Sequence, residues 1–231
     1  MYVEQSSTMD LTPIWITLQV AGLTVLTLLV LSMPLAWWLA YTRSRLKVSI
    51  EAITALPLVL PPTVLGFYLL LLLGPNGPAG QAWIQLTGSP LAFSFAGLVV
   101  ASCIYSLPFV VQPLQAAFET LDKRSVEAAW TLGASRIKTF FFIIVPQIRR
   151  GLLTAVVLGF AHTLGEFGVV LMVGGNIPGE TQVVSIAIYE LVEILNYDAA
   201  HTLSAGLLVF SFIVLFMVYG INRRWHNGRH A

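Results

Sequence analysis

Residues 53–73 read ITALPLVLPPTVLGFYLLLLL. Nothing in this run is charged, and it is as long as the roughly 20 helical residues that cross a bilayer core. The neutral region continues on both sides, because between Glu51 and Glu119 there is no Asp, Glu, Lys, Arg or His. All 12 Lys and Arg fall into three clusters: Arg43/Arg45/Lys47, Lys123 to Arg150, and Arg223/Arg224/Arg229. A soluble domain scatters its basic residues, whereas a multi-spanning membrane protein keeps them on cytoplasmic loops. Hydrophobic residues make up 57% of the chain and charged ones 10%, against roughly 25% charged in soluble domains. The 231 residues allow one helical bundle and no separate soluble enzyme.

Five segments are long and apolar enough to span: Ile14–Tyr41, Ile53–Leu73, Leu91–Ala117, Leu152–Val173 and Ala199–Ile221. The loops between them alternate. Arg43–Glu51 and Phe118–Arg150 are basic, while Gly74–Pro90 is uncharged and Gly174–Asp198 carries four acids and no base. The expectation is an all-α membrane protein of five transmembrane helices, N-terminus out and C-terminus in. The start of the chain has Glu4 and Asp10 but no basic residue, so it lacks the positive n-region of a cleaved signal peptide. Residues 180–198 are apolar as well, but Glu190 and Glu193 fall inside them. An acid at mid-span costs about 2.5–3.5 kcal/mol, so this stretch is expected as an amphipathic helix at the outer face.

Prolines interrupt two spans. Pro57, Pro61 and Pro62 cluster in the second, and Pro108 and Pro113 recur in the third. Each removes a backbone donor and frees a carbonyl upstream, which in hydrocarbon needs protein, water or a cavity. Two readings stay open, a kink that helps packing or a break that lines or gates a pathway. No internal repeat supports the inverted-repeat plan of secondary transporters.

The loop from Phe118 to Arg150 carries the most specific local signals. Asp122 is placed to cap a helix over Lys123–Leu132, and Gly133 supplies the left-handed residue that ends it. Ser135 can cap a second helix through Arg136, Ile137 and Lys138 towards Pro146. The product is a helix–glycine–helix elbow on the cytoplasmic face. Small Ala128 and Ala129 would allow close approach of another surface, and Trp130 and Leu132 offer apolar knobs.

In this loop Glu127-Ala128-Ala129 is followed by Gly133, Ile143, Val145 and Pro146. That spacing resembles the EAA signature of binding-protein-dependent ABC importer permeases, with Val145 where the family has Leu. Further runs, Leu56 to Pro62, Thr131 to Ala134, Leu164 to Gly168 and Asn176 to Thr181, are most similar to permeases of molybdate importers and their sulfate and tungstate relatives. The resemblance implies a type I ABC importer permease domain over 12–221 with a short basic cytoplasmic tail at 222–231. It also implies a coupling loop at Glu127, Ala128, Ala129, Trp130 and Gly133 that fits a groove on an ATPase subunit. The implied assembly is a permease homodimer in the inner membrane, two copies of a cytoplasmic ATPase and a periplasmic molybdate-binding protein. Tungstate or sulfate/thiosulfate are the alternative cargoes.

The chain has no Gly-Lys pair, and so no phosphate loop, and no His-Glu-x-x-His or Gly-x-Ser-x-Gly motif. No catalytic residue, cofactor or nucleic-acid partner is expected, and His162 and His201 have no second ligand at metal-binding spacing. Glu166 is the one carboxylate that the topology puts inside the bilayer, a functional candidate by default. An ionised Glu would repel a dianion, which favours a structural or gating role. His162 lies four residues earlier and would share its helical face, so the two could pair. A pathway for an anion without cations relies on hydroxyls and backbone N–H groups. The candidates are Thr63 beside Pro61 and Pro62, and Ser102 and Ser106 beside Pro108. The lone Cys103 excludes an intrachain disulfide.

Overall fold

The computed structural model describes residues 10–227; residues 1–9, with Glu4, and 228–231, with Arg229, lie outside the described residues, as do the side chains of Arg223 and Arg224. Every regular element among the described residues is helical. Four helices are long and apolar enough to cross a membrane, α1 (Thr12–Tyr41), α5 (Phe95–Glu119), the run Arg136–Leu164 and the start of α11 (Tyr197–Asn227). A bent pair supplies a fifth. The backbone of α11 continues through Asn227, into the region expected as a tail at 222–231.

The quoted stretch is not a straight span. α2 (Leu46–Ala55) runs into a 3-10 turn at Leu56–Leu58, and after Pro61 the chain restarts as α3 (Pro62–Leu73) at 111° to its predecessor. Three prolines within six residues remove the donors that would have bridged the turn, and the ψ of 135° at Pro61 ends helical geometry outright. The third span behaves differently. α5 runs unbroken through Pro108 and Pro113, contrary to the expectation of a second broken helix. Each of these prolines stands alone, and the helix is clamped between neighbours on two sides.

α1, α5 and α8 (Val145–Leu164) form the centre. Leu28, Ala36 and Leu39 of α1 meet Val110, Leu114 and Phe118 of α5 and Ile148 and Ala155 of α8, all fully or nearly buried. Small residues let α5 and α8 approach closely. A Cβ on Gly159 would stand 2.7 Å from a Val110 methyl, so a larger residue there would force the valine or the helices to shift. A second cluster near the start of α1 joins Ile16 and Val20, Leu98, Val170, and Ile186 of α10 (Val184–Glu193). A third joins Leu69 and Leu73 of α3 to Val169 and Val173 of α9 (Gly168–Gly174). No described residue of α11 belongs to any of the three clusters.

Three further boundaries differ from the sequence reading. The fourth span was expected at Leu152–Val173, but its helix starts earlier and stops at Leu164, with α9 a separate short helix. The uncharged loop at Gly74–Pro90 contains α4 (Pro78–Thr87), opened by its own proline and closed by Gly88 at φ 77°. The acidic stretch at 180–198 holds the ten residues of α10, too short to span. That helix is docked rather than loose: Glu190 accepts from Asn176 Nδ2 at 2.8 Å and from Gln182 Nε2 at 2.7 Å.

Candidate functional site

Two regions carry the residues singled out by sequence. The first is the elbow. α6 (Lys123–Thr131) begins at Asp122, whose carboxylate accepts the Arg124 N–H at 3.1 Å. It ends in a Schellman closure, with Ala134 N–H donating to the Ala129 carbonyl and Gly133 N–H to the Trp130 carbonyl, both at 3.0 Å. Gly133 has φ 82° and open space where a side chain would start. The Ser135 hydroxyl then accepts the Lys138 N–H at 3.3 Å and starts α7 (Arg136–Thr139), which passes through a π turn at Phe140–Ile144 into α8. The helix–glycine–helix elbow is present as the local signals dictate.

Its faces are divided. Val126 and Ala129 are buried, while Glu127, Ala128 and Trp130 are exposed and Leu132 is 87% exposed. Ala129 packs inward against the bundle, whereas Ala128 faces out. The helical period puts residue 129 on the same side as 126, and that side lies over the α1–α5 core. Trp130 forms one wall of a cavity of about 510 Å³ with Trp37, Phe118, Arg136 and Phe140.

Sequence reasoning missed what fixes the elbow to the bundle. Gln147 of α8 accepts the Asp122 N–H at 3.2 Å and donates to the Ser125 hydroxyl at 2.7 Å, so one amide holds the first turn of α6. On the other side Lys123 Nζ sits 4.5 Å from the centre of the Tyr41 ring, and the Tyr41 hydroxyl donates to the Phe118 carbonyl. Gln147 directly follows the proline of the EAA pattern, which is the only sequence signal that marks it.

The second region is a cavity of about 530 Å³ between α3, α5, α8 and α9. Pro62 and Thr63 line it from α3, Tyr105 from α5, and His162, Glu166 and Met172 from α8, the break and α9. Gly168 lets α9 abut α3, since a Cβ there would lie 2.8 Å from the Pro62 Cβ. The predicted pathway residues are thus divided. Pro62, Thr63 and Glu166 share the cavity, and Pro61 ends the preceding turn.

Ser102 and Ser106 are fully buried behind it. Ser106 Oγ is committed to His162 Nδ1 at 2.9 Å and to Thr163 Oγ at 3.0 Å. The Ser102 hydroxyl lies within reach of the Glu166 carboxyl but not in hydrogen-bond geometry. Glu166 is 3% exposed, and neither carboxyl oxygen has a hydrogen-bond partner. The pairing of His162 with Glu166 is not made. α8 stops at Leu164, so the two residues no longer share a helical face; His162 stacks instead on Phe109, ring centres 3.8 Å apart, with Tyr105 at 4.6 Å. Among the described residues no cluster of His, Cys, Asp or Glu could hold a metal ion.

Residues 32–227 match the family model described as "Binding-protein-dependent transport system inner membrane component". The chain is 58% identical over 214 residues to the "Molybdenum transport system permease protein ModB" of Azotobacter vinelandii, covering 93% of this chain and 95% of that one. It is 33% identical over 196 residues to the "Sulfate transport system permease protein CysT" of Salmonella typhimurium, covering 85% and 70%. In fold it is similar, with a TM-score of 0.73 at 19% identity over 94% of this chain and 80% of the other, to a chain of a bacterial ABC transporter involved in the import of the acidic polysaccharide alginate.

Proposed function

This chain belongs to the binding-protein-dependent transport system inner membrane components, and on that premise we propose that it is the permease subunit of an ABC importer for molybdate. The observation that carries the cargo is the gap in identity between the molybdenum-transport relative and the sulfate-transport relative, over comparable shares of the chain. The permease works as a homodimer in the cytoplasmic membrane, N-terminus out and C-terminus in. A periplasmic molybdate-binding protein delivers the cargo, and two copies of a cytoplasmic ATPase drive it.

The geometry supports a mechanical division of labour. Glu127, Ala128, Trp130 and Leu132 form the exposed face of the elbow, which seats in the ATPase. Closure of the ATPases on ATP pushes the elbow, and Gln147 passes the motion into α8. α8 is one continuous helix of 20 residues, about 30 Å long at 1.5 Å per residue, and it ends at the Glu166 break. Movement there opens or closes the cavity between α3 and α9.

The cargo is a dianion, and the cavity wall is lined by Thr63, Tyr105 and His162 and by no Lys or Arg. A site of this kind conducts what it is given and leaves selection to the binding protein. Glu166 serves the gate, because its carboxyl would repel the cargo if ionised.

Cellular molybdenum and tungsten, measured by elemental mass spectrometry in a strain lacking this chain and fed trace molybdate, test the reading. The expected result is a molybdenum deficit that the wild-type chain restores. Unchanged molybdenum with a deficit of tungsten or of sulfate uptake would move the cargo to one of those oxyanions.

A further inference from the structure

The main chain closes α8 locally, with the Gly165 N–H donating to the Ala161 and His162 carbonyls, but no side chain next to the break caps it. Phe167, the residue that opens α9, makes no side-chain cap bond, and the Glu166 carboxyl bonds nothing. Its backbone is held in addition from α10. The Ser185 hydroxyl donates to the Glu166 carbonyl at 2.6 Å, and the Tyr189 ring meets the Phe167 ring at a centroid distance of 5.0 Å. These two residues are four apart, so one face of α10 grips both sides of the break.

α10 is anchored at its start and open at its end. The Val184 N–H donates to the buried Thr17 hydroxyl of α1 at 2.8 Å, and the preceding Thr181 hydroxyl donates to the Gly174 carbonyl at the end of α9 at 2.7 Å. At the other end Tyr189, Val192, Glu193, Ile194 and Leu195 are exposed. The Tyr189 hydroxyl donates to Glu193 at 2.6 Å, and this bond raises its pKa. Leu195 closes the helix at φ 61°, a left-handed conformation that a leucine adopts under constraint.

We propose that Ser185 and Tyr189 are positioning residues that set the Glu166–Phe167 break and link the exposed end of α10 to the cavity. The proposal rests on the importer reading above, in which a soluble protein meets the outer face. A load on the open end of α10 shifts the Ser185 hydroxyl against the Glu166 carbonyl. The close contact of Gly168 with Pro62 carries that shift across the cavity to α3. The line thus runs from outside to the same break that α8 reaches from the cytoplasmic elbow.

The test has two arms. In a Cys103→Ser background, Thr63→Cys puts a thiol in the cavity wall, and its rate of labelling by a small maleimide is measured in membrane vesicles. In the reconstituted importer, ATP hydrolysis is measured with and without the binding protein loaded with molybdate. Ser185→Ala is expected to change the labelling rate by about fivefold, the worth of one hydrogen bond. It should also lower the ratio of stimulated to unstimulated hydrolysis by a similar factor, and Ser185→Thr should restore both. Wild-type labelling and ratio in Ser185→Ala would overturn the proposal. So would an equal fall of both hydrolysis rates with labelling unchanged, the mark of a folding defect alone. A wild-type importer that shows no stimulation counts against the molybdate reading instead, and the labelling arm still decides the linkage.

Discussion

The elbow at 122–139 and the break at 165–168 are both interruptions between helices, and they are built in opposite ways. The elbow is made by its own residues. Asp122, Gly133 and Ser135 cap the two helices within two or three positions of themselves. The break at Glu166 draws its side-chain support from residues distant in sequence, with Ser185 bonding its backbone, Tyr189 against the Phe167 ring and Pro62 lying against Gly168. A locally determined joint keeps its shape while it moves as a body, which suits a part that is pushed. A joint determined by its neighbours changes shape when they move, which suits a gate.

Gly133→Val strikes at the local joint and should have the largest effect. The left-handed backbone alone costs an ordinary residue about 1–2 kcal/mol, roughly tenfold, and a β-branched residue more. Molybdate uptake should fall at least that far while immunoblots show normal amounts of protein in the membrane. Normal ATP-driven uptake would mean that the elbow does not transmit force. Gln147→Ala tests the link between the two joints. Two hydrogen bonds at the exposed start of α6 are lost, and uptake should fall by about fivefold with little change in thermal stability. An unaltered rate would show that α8 is driven by some other contact.

Glu166→Gln addresses the distant joint. Turnover should fall by roughly threefold, whereas the ratio of molybdate to sulfate uptake stays as it is. A switch in which oxyanion is carried would remove Glu166 from the gate and put it against the cargo. The smallest effect belongs to Leu195→Gly, which relieves the second left-handed helix closure. Leu195 is largely exposed, so little packing is lost, and stability should rise by up to about 1 kcal/mol in thermal unfolding. A destabilised variant would mean that the leucine side chain has a partner in the assembly.

The same contrast explains what could be read from the amino acids. The apolar runs and sided charge gave the helical membrane class, and the Asp122, Gly133 and Ser135 signals gave the elbow to within a residue, because those determinants lie next to what they determine. The course of the second span was half legible. Three clustered prolines announced an interruption, but a turn of 111° depends on what α3 packs against. Pro108 and Pro113 looked equivalent and leave α5 unbroken, since packing against α1 and α8 overrides an isolated missing donor. The pairing of His162 with Glu166 failed for a related reason. Helical spacing does not carry across Gly165, a glycine that closes α8 and puts His162 and Glu166 on different sides of the break. The inward packing of Ala129 has no local signal, because the elbow's inner side is defined by the bundle below it.

One consequence concerns the timing of synthesis. No described residue of α11 belongs to the three apolar clusters, and only 6% of its spanning window is buried, against 50% for α5. The bundle can therefore close while the last span is still leaving the ribosome. That span then adds itself to a bundle already closed, seating only its first turns, where Ala200 and Leu203 are buried, while Leu208, Phe212 and Phe216 face outward.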